Sequence, residues 1–130
     1  MTIPTVRRGF FVTGTDTGVG KTTISAALLR SARREGLRPI PFKPAETGCT
    51  PEPADARALW RAAEPPVSPD DVCLYTLRLP VAPAHAAAAE AVQIELDRIV
   101  ERANWLAERG DALLVEGAGG LLVPYAAGVT

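Results

Sequence analysis

The chain has 130 residues, enough for one domain and hardly two. A chain this size buries somewhat under ~70% of its unfolded surface, so one modest core is feasible. The formal net charge of −1, with charges well mixed, argues against a nucleic-acid binder working by bulk charge and against a polybasic membrane surface.

The opening stretch MTIPTVRRGFFVTG holds two arginines but an apolar run too short for a signal peptide or a membrane span. Gly9–Gly14 reads as a buried strand, with Phe10, Phe11 and Val12 in a row and no polar alternation. Thr22–Glu35 reads as a helix with Ile24, Ala27, Leu28, Ser31 and Ala32 on one face. Arg30, Arg33 and Arg34 lie mostly elsewhere, near its C-terminal end, where cations suit the helix dipole, and Gly36 is the stop. Ile40–Lys43 is a short second strand. Pro39 and Pro41 remove two N–H groups on the same side, so that side of the strand start is expected to be unpaired or at an edge. Residues 44–54 read as a loop rich in Pro, Thr and Gly, and Asp55–Glu64 as a helix begun by an acidic residue. Residues 65–83 read as irregular, with a short extended piece around Leu74–Leu77. A short alanine-rich helix covers His85–Ala91. A better one covers Leu96–Arg109, where Leu96, Ile99, Val100, Ala103, Leu106 and Ala107 form a stripe and Gly110 ends it. Ala112–Glu116 is a third, wholly apolar strand, followed by the loop GAGG and then Leu121–Tyr125. Strand–helix alternation of this kind predicts an α/β fold: a parallel sheet with crossover helices, three-layer αβα, in a single domain over residues 1–130.

The joint between the first strand and the first helix carries the chemistry. The phosphate-loop pattern G-x-x-x-x-G-K-[ST] puts a glycine at position 15, where this chain has Thr15, with Gly14 one place early. The physics does not hang on that glycine alone. Gly18 and Gly20 permit the backbone angles that turn loop N–H groups inward, and the helix N-terminus adds partial positive charge. Thr17, Gly18, Val19, Gly20, Lys21, Thr22 and Thr23 are thus the candidate nucleotide loop of a P-loop NTPase-type domain. Lys21 is placed to reach the β- and γ-phosphates and the Thr22 hydroxyl to bind Mg²⁺. The bland alternative is a glycine-rich turn with a surface lysine; Gly-Lys-Thr at a strand-to-helix joint favours the nucleotide. Glu116 ends an apolar strand where phosphate-loop proteins keep an acidic group near the metal, the alternative being an acidic cap. Asp55 is either a second carboxylate for the metal or a helix-start aspartate. Lys43 ends the second strand at the same face; a lysine before a proline is otherwise usually solvated.

Three blocks, GTDTGVGKT at 14–22, FKPAETG at 42–48 and VEGAGG at 115–120, resemble in order and separation the dethiobiotin synthetase family. APAH at 82–85 and the helix at Asp55 resemble it more loosely. The resemblance implies conversion of 7,8-diaminopelargonate, CO₂ and ATP, with Mg²⁺, into dethiobiotin, ADP and phosphate. A substrate carbamate is phosphorylated to a carbamic–phosphoric anhydride, and the second amine then closes a cyclic urea. It implies Lys43 between carbamate and phosphate, Lys21 on the phosphates, and Thr22, Asp55 and Glu116 as the metal set. It also implies Thr17, Gly117, Ala118 and Gly119 at the nucleotide and Thr47 and Gly120 near the substrate. A cytoplasmic homodimer is expected of the full-length form, with no nucleic-acid or membrane partner. Position 18 is Gly where some family members carry Glu. The family is usually about half as long again or more, so the resemblance implies either a fragment of a longer protein, with later strands missing, or a reduced form, and the fragment is the favoured expectation.

Three other readings compete. An ATP-dependent amide-forming synthase of the cobyrinic acid diamide synthase kind needs a glutamine-hydrolysing domain. A partition-type regulatory ATPase usually carries an extra lysine early in the loop, where this chain has Asp16. A non-catalytic fragment would bind nucleotide and make no product. Among remaining residues, Cys49 and Cys73 fit no CxxC spacing and read as reduced thiols, and Cys49 has no base nearby in sequence to make it reactive. His85 reads as a helix-start or packing residue, Trp60 and Trp105 as packing, and Arg30, Arg33, Arg34 and Arg38 as a solvated face.

Overall fold

In the computed structural model, which describes residues 8–130, four parallel strands form one sheet. The elements run β1 Gly9–Gly14, α1 Lys21–Arg34, β2 Pro39–Glu46, α2 Ala54–Ala63, a short 3₁₀ turn Pro69–Asp71, β3 Cys73–Thr76, α3 Pro83–Ala89, α4 Leu96–Ala107 and β4 Ala112–Gly120. The order across the sheet is β1-β4-β2-β3. The last strand in sequence is therefore inserted between the first two.

The sheet is covered on both sides. Leu114 of β4 packs with Ala26 and Leu29 of α1 and Leu59, Ala62 and Ala63 of α2. Its neighbour Leu113 points the other way and joins Ile40 and Phe42 of β2 against Ala103 and Leu106 of α4. This alternation along a strand buried on both faces explains why β4 reads as an unbroken apolar run. The αβα layering expected from the element alternation is thus present, and of the predicted α4 stripe Ala103 and Leu106 are buried, Ile99, Val100 and Ala107 half-buried and Leu96 exposed.

The three prolines of β2 explain how a central strand tolerates them. The N–H of Lys43 donates to the Val72 carbonyl on the β3 side, so Pro39 and Pro41 face that side too. β3 begins only at Cys73, opposite Lys43, and leaves that stretch without a strand partner, as the sequence predicts. Pro44 faces the β4 side, where pairing has already stopped at Phe42 opposite Val115.

Three expectations need correction. Among the described residues β1 is an edge strand, not a buried one: it pairs there with β4 alone, and Phe10 and Phe11 are each 62% exposed. Helix α1 buries Lys21, Ser25, Ala26 and Leu29 rather than the Ile24–Leu28 face. It turns that small-residue face to α2 and β4, while Leu28 borders a cavity beside Phe10 at the exposed β1 edge. The loop predicted at 44–54 starts later, because β2 continues through Pro44 to Glu46, and the short extended piece at 74–77 is the edge strand β3. Among the described residues no helix is long and apolar enough to cross a membrane.

Candidate active site

The site lies at the C-terminal ends of β1, β2 and β4, where a parallel sheet presents its loops. A cleft of about 360 Å³ is lined by Thr17, Gly18, Gly20, Lys21, Thr22, Thr23, Lys43, Glu46, Thr47, Asp55, Glu116, Ala118 and Gly119. Three segments far apart in sequence converge there.

The first is the β1–α1 loop. Gly18 and Gly20 have φ of +75° and +100°, the left-handed region that a side chain disfavours. Gly20 is the residue preceding helix α1, and its carbonyl accepts the Ile24 N–H at 3.0 Å. The loop is closed by its own lysine: Lys21 Nζ donates to the Asp16 carbonyl at 2.7 Å. Asp16 Oδ1 accepts the Thr17 N–H at 2.7 Å, so its side chain braces the turn.

The second and third segments bring the charges together. Glu116 is fully buried, at 0% exposure, and its Oε1 accepts from the Thr22 hydroxyl at 2.7 Å and from Lys43 Nζ at 2.8 Å. Lys43 Nζ also donates to Asp55 Oδ2 at 2.9 Å. Thr22, Lys43, Asp55 and Glu116 thus form one continuous network at the mouth of the loop. Burial pushes the Lys43 ammonium down, but the carboxylates of Glu116 and Asp55 more than offset it and leave it above the ordinary lysine range. Glu116 Oε2 is buried without a hydrogen-bond partner.

The structure also brings in Glu46, which no reading of the motifs singled out. Glu46 is buried and accepts the Asp55 N–H on its Oε1 at 2.6 Å. Burial, and then the Asp55 charge, raise its carboxyl to about 7 against the opposing pull of Lys43 and the N–H groups of Asp55 and Ala56. An acidic residue inside FKPAETG was the available signal, hidden because that block reads as the start of a loop.

Three predicted residues lie outside the cleft. Val19 is half exposed, with its side chain against Gly14. Gly117 sits under the Phe11 ring on the opposite side of β4, lining an apolar cavity of about 370 Å³ with Gly120, Leu96, Ile99, Leu122 and Tyr125. Gly120 pairs with Gly14 across a register shift and backs the phosphate loop. The Ala118 N–H donates to the Tyr125 hydroxyl at 2.7 Å, which ties the end of β4, between the two cavities, to the segment after it.

Outside the network, His85 is exposed on α3. Cys49 and Cys73 are free and buried; burial first pushes their thiols up, to about 12 and about 11, which leaves them unreactive. Trp60 Nε1 donates to the Val67 carbonyl, and Trp105 lies under Arg109 and Arg102. Of the arginines read as a solvated face, Arg33 pairs with Glu64 and Arg38 with Asp111.

A parallel sheet with helices on both faces and a Gly-x-Gly-Lys-Thr loop opening α1 defines a P-loop-type nucleotide-binding domain. Residues 8–130 match the family described as "AAA domain", and the chain belongs to it. The chain is 53% identical over 121 residues to the ATP-dependent dethiobiotin synthetase of Anaeromyxobacter sp. (strain K), covering 92% of this chain and 54% of that protein. It is 40% identical over 124 residues to the enzyme of that name from Thermodesulfovibrio yellowstonii, covering 92% and 52%. With that of Vibrio parahaemolyticus it is 42% identical over 120 residues, covering 88% and 53%. The chain spans about half the length of the curated relatives it matches.

Proposed function

We propose that this chain forms the phosphate-binding and carbamate-activating part of an ATP- and Mg²⁺-dependent ligase. The ligase closes a cyclic urea from 7,8-diaminopelargonate and CO₂, giving dethiobiotin. The observation that carries this reading is Lys43: a buried ammonium, 2.8 Å from Glu116 and 2.9 Å from Asp55, at the mouth of a Gly-Lys-Thr loop. The reading is supported by the names of the relatives, which are 53%, 40% and 42% identical.

The first task of such a reaction is to bring a carbamate oxygen to the γ-phosphate, anion to anion. An ammonium held between the two partners reduces that repulsion, and the carboxylates hold Lys43 in the charged form. Lys21, released from the Asp16 carbonyl, would turn to the phosphates, where the loop N–H groups and the α1 N-terminus take up charge developing on the transferring and leaving oxygens. The substrate amines and ATP carry the reactivity. The protein contributes position and fixed charge, with no strong nucleophile of its own. Thr47, on the cleft wall next to Glu46, is the side chain proposed nearest the diamine.

The donor set fits Mg²⁺, which takes oxygen ligands from a hydroxyl, one or two carboxylates and substrate phosphates rather than an all-protein cage. Thr22 Oγ1, Asp55 and the partnerless, buried Glu116 Oε2 supply that chemistry, although no group of three or more His, Cys, Asp or Glu side chains among the described residues is close enough to hold an ion unaided. Thr22, Asp55 and Glu116 would hold the ion, which when bound screens the phosphate charge. The ligase is proposed to be cytoplasmic and to work as a homodimer, with small-molecule substrates and neither nucleic acid nor membrane as partner.

Mass spectrometry of a reaction containing diaminopelargonate, bicarbonate, ATP and Mg²⁺, without glutamine, tests the proposal on this chain and on a longer form with the relatives' full length. Dethiobiotin and ADP in equal amounts from the longer protein are expected. ATP bound but no cyclic urea from either would reject the reaction. In the active form, Lys21→Gln and Lys43→Gln are each expected to lower kcat by roughly two to three orders of magnitude, the scale of losing one preorganised donor.

A further inference from the structure

Glu46 is 5% exposed, and no step of the proposed reaction uses it. Its surroundings give it a specific task. Helix α2 begins without a local cap, because Pro53, the residue before it, offers no side-chain acceptor. The first-turn N–H groups of a helix have no partner inside the helix and need one from elsewhere. Glu46 Oε1 accepts the Asp55 N–H at 2.6 Å, reaching it from strand β2 rather than from the chain just before α2. The Cys49 thiol packs beside it, with Sγ 3.3 Å from the Glu46 carbonyl oxygen and 3.9 Å from Oε2.

The residue it holds is Asp55, whose own Oδ2 accepts from Lys43 Nζ at 2.9 Å. Lys43 and Glu46 both belong to β2. One strand therefore grips Asp55 twice, by its backbone through Glu46 and by its side chain through Lys43. Asp55 itself is part exposed at the cleft rim and sits in the first turn of a helix with no other cap, where ends fray most readily.

We propose that Glu46 is a positioning residue: it caps α2 from β2 and so sets the Asp55 carboxylate at the mouth of the phosphate loop. The consequence for binding rests on the nucleotide reading of the cleft given above, whereas the coupling of Glu46 to Asp55 does not.

Two measurements on the ¹⁵N-labelled chain test this. The first is the Asp55 amide, by proton shift and hydrogen exchange. In the wild type it is expected downfield and protected, and in Glu46→Ala shifted upfield and exchanging faster, as a lost local hydrogen bond requires. The second is ADP affinity by calorimetry, with Mg²⁺ and with EDTA. Glu46→Ala is expected to weaken the Mg²⁺-dependent part about tenfold, the low end for a residue orienting a metal ligand, and to leave the EDTA value unchanged. In an Asp55→Ala background it is expected to add nothing. Glu46→Gln keeps a carbonyl acceptor and is expected to stay within about twofold of wild type. Should Glu46→Ala not fold, Glu46→Asp, one methylene shorter, takes its place with the same expectations. An unmoved Asp55 amide overturns the proposal. So does a loss of affinity equal in Mg²⁺ and EDTA, a full effect surviving in the Asp55→Ala background, or a glutamine variant as poor as alanine. Absence of any Mg²⁺–nucleotide binding by the wild type rejects the function proposed for the cleft, and the amide measurement alone then decides on Glu46.

Discussion

Lys43 and Glu116 show how one buried pair is made tolerable. Their side chains are 4% and 0% exposed, so each loses most of its hydration. The cost is met by sharing: Glu116 Oε1 takes a second hydrogen bond from Thr22, and Lys43 a second carboxylate from Asp55. Removing the cation alone leaves two carboxylates facing each other. Lys43→Gln is therefore expected to lower stability by about 3 kcal/mol, the usual scale for breaking a buried pair from one side. Millimolar Mg²⁺ should raise the melting temperature of Lys43→Gln more than that of the wild type, by supplying the missing positive charge; equal shifts in a thermal melt would contradict the assignment of those carboxylates to a cation. Glu46 makes a second prediction. Its carboxyl ordinarily titrates at 4.5 and in the folded chain at about 7. Between those values the native state keeps a proton that the unfolded state has released, so stability falls as pH rises through the window. The fall is nearly complete above about pH 7 and amounts to roughly 3 kcal/mol. Glu46→Gln removes the titration. Urea midpoints of the two proteins should nearly coincide at pH 4.5, and the variant should lead at pH 8.

At the level of elements, the site depends on how closely β1 and β4 approach where their loops begin. Gly120 pairs with Gly14, and a Cβ at Gly120 would stand 2.8 Å from the Thr15 carbonyl oxygen and 3.2 Å from its carbon. Both are backbone atoms of the phosphate loop, which cannot move without changing the loop. Gly120→Ala is expected to cost about 1–3 kcal/mol, the range for forced overpacking. It should also weaken ADP binding, and calorimetry showing wild-type affinity would mean the loop is decoupled from β4. The same contact shows what was legible in sequence. The bounds of β1 agree with the Gly9–Gly14 reading and the helices with theirs to within three residues, because Gly20, Gly36 and Gly110 mark local turns and α4 has a clear apolar period. The convergence of Lys43, Thr22 and Glu116 was legible through three motif blocks, and that of Asp55 only through the looser resemblance of its helix. The sheet order was not, since nothing local says that β4 enters between β1 and β2. Nor was Glu46: strict alternation from Lys43 sends it to the opposite face, but beyond Pro44 the strand departs from that period. Ala45 joins the cluster with Tyr75 and Ala86, and Glu46 turns to Asp55.

For the whole molecule, the uneven burial of the sheet has a measurable consequence. Three elements meet on one side of β1 and β4 to form a wide apolar surface: Phe11 from β1, Leu96 and Ile99 from α4, and Leu122 with Tyr125 from the segment after β4. Phe11 is 62% and Leu122 81% exposed, and among the described residues β1 has a strand partner on one side only. Contiguous apolar surface of this kind beside an open strand edge favours contact with another chain. The 130-residue chain is therefore expected to self-associate and to enhance the fluorescence of an apolar dye. Sedimentation velocity across a hundredfold range of concentration should show the mean coefficient rising. Leu122→Glu tests the cause with little risk to the fold, because an exposed side chain contributes little to packing. Its variant should remain closer to the monomer value at every concentration and bind less dye. If it sediments like the wild type, association runs through another surface, such as the groove between Phe10 and Leu28 on the other side of the same strand.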